Sequence, residues 1–109
     1  MIIFRNLRDA RAFAKLHLSS LVTIQDFDLV IEIGFHQESG TPLNLKTLHL
    51  LGIGSYATVQ RRIKRLRKLK VVEQTRASDD GRSIQLRLGS ETMRVFRRYG
   101  RTLLRAVPG

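Results

Sequence analysis

Leu48-His49-Leu50-Leu51-Gly52-Ile53-Gly54-Ser55-Tyr56-Ala57-Thr58-Val59-Gln60-Arg61-Arg62-Ile63-Lys64-Arg65-Leu66-Arg67-Lys68-Leu69-Lys70 is the stretch that decides the fold. Its centre, Gly52 to Gly54, breaks one apolar helical pattern and opens another, and Ser55 is well suited to accept from a free N–H of the next first turn. From there Val59, Ile63, Leu66 and Lys70 recur at i, i+4, i+7 and i+11, the spacing of one helical stripe. At about 100° per residue, packing Val59, Ile63 and Leu66 inward turns Ala57, Gln60, Arg61, Lys64 and Lys68 outward together. Seven of the ten residues from Arg61 to Lys70 are cations, and no acid occurs from Ser55 to Lys70. A merely solvated helix face usually mixes signs in i,i+4 pairs, so this one points to an anionic partner, nucleic acid before an acidic protein or a membrane surface.

Outward from this helix, the chain after it reads as a ribbon. Val71 to Thr75 has the composition of a strand, Asp80-Gly81 is a hairpin-turn signal, and Ser83 to Leu88 alternates polar with apolar residues. Before it, Asn44 caps a short helix from Leu45 to Leu51, whose Leu45, Leu48 and Leu51 are expected to face the core. Thr23 caps a longer helix with Asp26 in its positive first turn, and Ile24, Phe27, Ile31 and Phe35, supported by Val30 and Ile33, are its expected buried face. Ser39-Gly40-Thr41-Pro42 ends it. Phe4, Leu7, Ala10, Ala14 and Leu18 predict a first amphipathic helix. Ser90 is expected to cap a last one, with Met93, Phe96, Gly100, Leu103 and Val107 on one stripe and Arg94, Arg98, Arg101 and Arg105 on another.

The expected fold is mainly α with a small β-hairpin wing, about five helices and a two- to three-stranded sheet: a winged helix-turn-helix. A length of 109 residues suits one domain over 1–109, with 1–20 and 90–109 as flanking helices available for dimerisation. Residues 1–60 balance five basic against five acidic side chains, whereas 61–109 hold 15 basic against four acidic, so the whole net charge of +11 lies in the second half. That is the electrostatic footprint of a polyanion binder. Arg5 directly follows an apolar N-terminal quartet, which leaves no signal-peptide core, and no apolar run is membrane-spanning in length, so a cytoplasmic, nucleoid-associated protein with no membrane partner is expected.

Chemistry finds little footing. There are no cysteines, and His17, His36 and His49 lie far apart without metal-ligand spacing, so surface or boundary positions are expected for them and no metal. Gly52-Ile53-Gly54-Ser55-Tyr56-Ala57 matches a dinucleotide fingerprint, but a leucine-rich helix precedes it where a strand is required, and no cofactor is expected. No triad, nucleophile elbow or paired carboxylate stands out, and an enzyme is the poorest option.

The sequence from about Thr23 to Leu104 resembles the MarR-like transcriptional regulators. The resemblance rests on Leu48-x-x-Leu51-Gly52, Ser55-x-x-Thr58-Val59-x-Arg61, Leu66-x-x-Leu69 and the wing Asp80-Gly81-Arg82-Ser83-Ile84. It implies a sequence-specific regulator that binds double-stranded DNA as a homodimer, with a recognition helix at about Ser55–Lys70 in the major groove and a wing at about Thr75–Ser83 at the minor groove. The implied DNA-contacting set is Ser55, Tyr56, Ala57, Gln60, Arg61, Lys64, Arg65 and Lys68 on the helix and Arg82 on the wing, which Asp80 would brace. Gly54 looks inserted in the turn, and Arg62 stands where the family usually has an apolar residue. A small-molecule effector, common in the family, has no direct residue pattern to support it. From the residues alone, an RNA-binding basic protein and a protein-binding winged-helix adaptor stay open beside duplex-DNA binding.

Overall fold

The computed structural model describes residues 3–76 and 84–104. Its elements run α1 (Ile3–His17), α2 (Ile24–Glu38), α3 (Leu45–Leu50), α4 (Tyr56–Lys68), β1 (Val72–Arg76), β2 (Ile84–Leu88) and α5 (Ser90–Leu104). They separate into two compact units, one of residues 21–89 and one of 1–20 with 90–109.

In the unit of 21–89 every helix is capped as its sequence requires. Thr23 Oγ1 accepts from the Asp26 N–H at 3.1 Å, while Asp26 Oδ2 accepts from the Val22 and Thr23 N–H groups at 2.9 and 3.3 Å. Asn44 and Thr47 form the same reciprocal box at the start of α3. Together such boxes satisfy donors that a helix start leaves open. The α2 C-terminus closes through Gly40 at φ 79°, with the Gly40 N–H on the Gln37 carbonyl and the Thr41 N–H on the His36 carbonyl. The end of α4 repeats that motif with a lysine: Lys70 stands at φ 62°, its N–H on the Arg67 carbonyl and the Val71 N–H on the Leu66 carbonyl. A side chain in this left-handed region is strained, and Lys70 accepts the strain as the chain reverses into β1.

The strands pair antiparallel with Val72 opposite Leu88, Gln74 opposite Leu86 and Arg76 opposite Ile84. An isolated bridge from Asn44 to Gln85, and the Leu86 N–H on the Leu43 carbonyl at 2.7 Å, tie the α3 approach to this ribbon. The Asp80-Gly81 turn lies outside the described residues. Gln37 Oε1 accepts from the Leu88 N–H at 2.7 Å, and a Cβ on Gly34 would stand 3.0 Å from Leu88 Cδ1, so α2 lies close over β2. Leu29, Val30, Ile33, Leu48, Val59, Ile63, Leu66, Val72 and Leu86 fill the core between helices and hairpin.

Two helices of this unit bury faces other than those expected. On α2, Ile24, Ile31 and Phe35 are exposed, Phe35 by 61%, and Phe27 is only half-buried; Val30 and Ile33 are buried as expected, and Asp26 and Leu29 join them inside. This helix is apolar over most of its circumference, so periodicity does not select one side. The partners of Asp26 do, since Arg62 and Arg65 of α4 face its carboxylate. On α3 only Leu48 is buried, with Leu45 half-buried and Leu51 exposed as the C-cap.

The second unit consists of α1 packed against α5. Ala10, Ala14 and Leu18 are buried as expected, but Phe4 is 79% exposed and Leu7 is also exposed, while Asn6 takes the inward place. The buried face is therefore rotated by a residue from the apolar stripe and brings Phe13 toward α5. Its ring lies 6.2 Å from that of Tyr99, with the Arg98 guanidinium 5.1 Å above it. No residue of α5 is fully buried; Met93, Phe96, Gly100 and Leu103 are half-exposed, and Val107 lies outside the described residues.

Candidate nucleic-acid interface

The candidate surface is the outer face of α4. Ser55 caps the helix, its Oγ accepting from the Thr58 N–H at 3.2 Å, and Val59, Ile63 and Leu66 anchor the inner face. Around the other side Tyr56, Ala57, Arg61, Lys64, Arg67 and Lys68 are exposed, and Gln60 is half-buried beside them. Lys64, Arg67, Lys68 and Lys70 then line an open cleft of about 440 Å³ against Val72, Glu73 and Gln74 of the first strand. Four cations face one carboxylate there. Such a surface attracts a phosphate chain along the helix flank.

Two cations of the basic run do not belong to that face. Asp26, completely buried at the N-terminus of α2, receives Arg65 Nη1 on Oδ2 at 3.4 Å and has Arg62 Nε 3.9 Å from Oδ1. Arg65, included in the implied DNA-contacting set, is thus half-buried and turned toward α2. Arg62 can replace an apolar residue because a buried carboxylate awaits it. A single side chain consequently caps α2 and ties α4 to it, which sets the angle at which the outer face of α4 is presented. The signal was present in the sequence as Thr23-x-x-Asp26, but its long-range partners, thirty-six and thirty-nine positions away, were not.

Of the three histidines, His17 lies against Phe13 with the rings tilted by 38°, and His36 Nδ1 contacts the Glu32 carbonyl at 2.9 Å. His49 is not an indifferent boundary residue. Its ring stacks on Tyr56 with centroids 4.3 Å apart, and Gln60 Nε2 lies 3.2 Å from His49 Nε2 and 3.1 Å from Tyr56 Oη. Among the described residues no group of histidines and carboxylates is placed to hold a metal ion, and no helix is long and apolar enough to cross a membrane. Asp80 and Arg82 lie outside the described residues. The elements on both sides of Gly52 are helices, which removes the strand that a dinucleotide fingerprint requires.

A short helix, a tight turn, a basic helix held by its inner face and an antiparallel hairpin define a winged helix-turn-helix protein. Its solved counterparts include MarR and the PcaV transcriptional regulator, and the chain has their winged-helix fold. It is similar to Rv1404 from Mycobacterium tuberculosis (TM-score 0.66, 19% identity over 86% of this chain and 60% of that one). It is similar as well to a mutant of MarR from E. coli complexed with operator DNA (0.60, 16%, 94% and 71%) and to the PcaV transcriptional regulator from Streptomyces coelicolor (0.58, 22%, 93% and 71%). The chain therefore spans about three-fifths of the length of Rv1404. At these identities the likeness is one of fold. No protein-family model matches the sequence, and no curated protein does.

Proposed function

We propose that this chain is a sequence-specific, duplex-DNA-binding transcriptional regulator that lays α4 in the major groove and its wing, about Thr75–Ser83, at the adjacent minor groove. The observation that carries this reading is the acid-free outer face of α4 on a helix-turn-helix frame, a shape and charge that suit the major groove. The similarity to MarR complexed with operator DNA supports it. Ser55, Tyr56, Ala57, Gln60 and Arg61 at the helix start face the bases, and Lys64 and Lys68 hold phosphates. Arg65 serves the frame through Asp26. Such work places the protein with the nucleoid in the cytoplasm.

Reading and positioning should separate by substitution. Arg61 is exposed early on α4, where a guanidinium can make a bidentate contact to a guanine edge worth about 1–3 kcal/mol of discrimination. Arg61→Ala is expected to lower the preference for a selected operator over random duplex by about tenfold or more. Arg82→Ala should weaken both, with a smaller loss of preference confined to A·T-rich flanks. Equal losses for every sequence with both variants, measured by fluorescence anisotropy, would reduce both arginines to bulk charge and end the assignment of α4 as the reading helix.

The chain is further proposed to act as a homodimer on a two-fold operator. One helix and wing span only a few base pairs, and Ile3, Phe4, Leu7, Leu16 and Leu104 leave apolar side chains in water at the two terminal helices. Half-sites about 34–36 Å apart are expected. Light scattering that finds a monomer at micromolar concentration, both free and on DNA, would refute the dimer.

A further inference from the structure

From the contacts between α3 and α4 we infer that His49 is a specificity-positioning residue: it orients the Gln60 side chain so that only the amide carbonyl faces the DNA bases. This rests on the reading of α4 as the major-groove helix.

A glutamine amide has two N–H donors on nitrogen and an acceptor on oxygen. Gln60 Nε2 meets His49 Nε2 at 3.2 Å and Tyr56 Oη at 3.1 Å, so both donors have acceptors within the protein. An amide nitrogen cannot accept. The ring nitrogen facing it therefore offers a lone pair, and in the neutral imidazole the proton lies on Nδ1. His49 Nδ1 is buried with no hydrogen-bond partner, so the protein leaves one polar atom unsatisfied to keep the ring in this place. The stack on Tyr56, 4.3 Å between centroids and 25° between planes, holds the ring flat against the first turn of α4.

With both donors committed, only Oε1 of Gln60 is left for a base. In the major groove an acceptor suits the exocyclic amine of adenine or cytosine and opposes the O6 of guanine and the O4 of thymine. A free glutamine can turn its amide over and satisfy either kind of edge. His49 removes that freedom without touching DNA. Gln60 is thereby a reader of amino-bearing bases, and His49 makes it selective.

Selection from a randomised duplex library tests this with the full chain, comparing the wild type with Gln60→Ala and His49→Phe. Phenylalanine retains a ring to stack on Tyr56 and removes the acceptor. The wild type is expected to favour adenine or cytosine over guanine and thymine by about fivefold or more at one position per half-site, the size of one hydrogen bond. Both variants should lose that preference at the same position and retain the others. A wild type that prefers guanine or thymine where Gln60→Ala loses selectivity overturns the inference, as does a His49→Phe pattern identical to the wild type. Should His49→Phe fail to fold, long-range ¹H–¹⁵N correlation on the wild type at alkaline pH decides the matter: a proton on Nδ1 is expected, and one on Nε2 refutes the orientation. A wild type that binds no duplex at all removes the DNA reading itself, and the positioning role with it.

Discussion

Raising salt from about 50 to about 200 mM should weaken the complex with duplex DNA by about 150-fold per half-site, with a log–log slope near −3.6. This follows from Lys64, Arg67, Lys68 and Lys70, the four cations that line the cleft beside α4. Each phosphate neutralised releases condensed counterions and contributes about −0.9 to the slope, and a fourfold rise in salt converts the sum into the stated loss. Arg62 and Arg65 are excluded because both face the buried Asp26 carboxylate and neither lines that cleft. Nitrocellulose filter binding or anisotropy across a salt series gives the slope directly. A value near zero would mean that the basic face does not meet a phosphate chain, and duplex binding would have to be given up. Double charge reversal, Lys64→Glu with Lys68→Glu, should flatten the slope as well as weaken the complex.

Asp26→Ala is expected to cost about 3 kcal/mol of folding stability, which for a domain of this size lowers the thermal midpoint by more than about 10 °C. Two contributions act in the same direction. The Val22 and Thr23 N–H groups lose their acceptor, and Arg62 and Arg65 lose the carboxylate that faces them at 3.9 and 3.4 Å. Both guanidiniums retain some contact with solvent, which keeps the cost at the low end for breaking a buried pair. Asp26→Asn separates the parts, since an amide oxygen can still accept from the two backbone donors while the charge is gone. Its cost should be about 1–2 kcal/mol. Urea unfolding followed by circular dichroism reads both. An Asp26→Ala protein within about 0.5 kcal/mol of the wild type would show that neither the cap nor the tie to α4 matters to the fold.

The local devices were legible because each is written in adjacent residues. Thr23, Asn44 and Ser55 announce their helices by an oxygen set to accept from a backbone N–H within the first turn. Val59, Ile63 and Leu66 were legible for another reason: α4 is polar everywhere else, so a single stripe is left to bury. On α2 hydropathy spacing points Ile24, Ile31 and Phe35 inward, whereas all three are exposed. There apolar residues surround the helix, and the deciding residue is a carboxylate that a hydropathy pattern would send to water. Asn6 in α1 escapes for the same cause, a polar side chain in an inward place.

The sequence by itself determined the order of elements, the class of fold and the concentration of positive charge on one helix, since these depend on propensities, caps and spacing over a few turns. Only the tertiary structure decided which of the seven cations between Arg61 and Lys70 face outward. It also decided that Asp26 joins α2 to α4 and that His49 stands against Tyr56 and Gln60. Those assignments depend on distances between residues seven to thirty-nine positions apart. Electrostatic pairing and hydrogen bonding act over a few ångströms of space, whatever the separation along the chain. A local pattern therefore says which residues are charged, and packing determines which partner each charge meets.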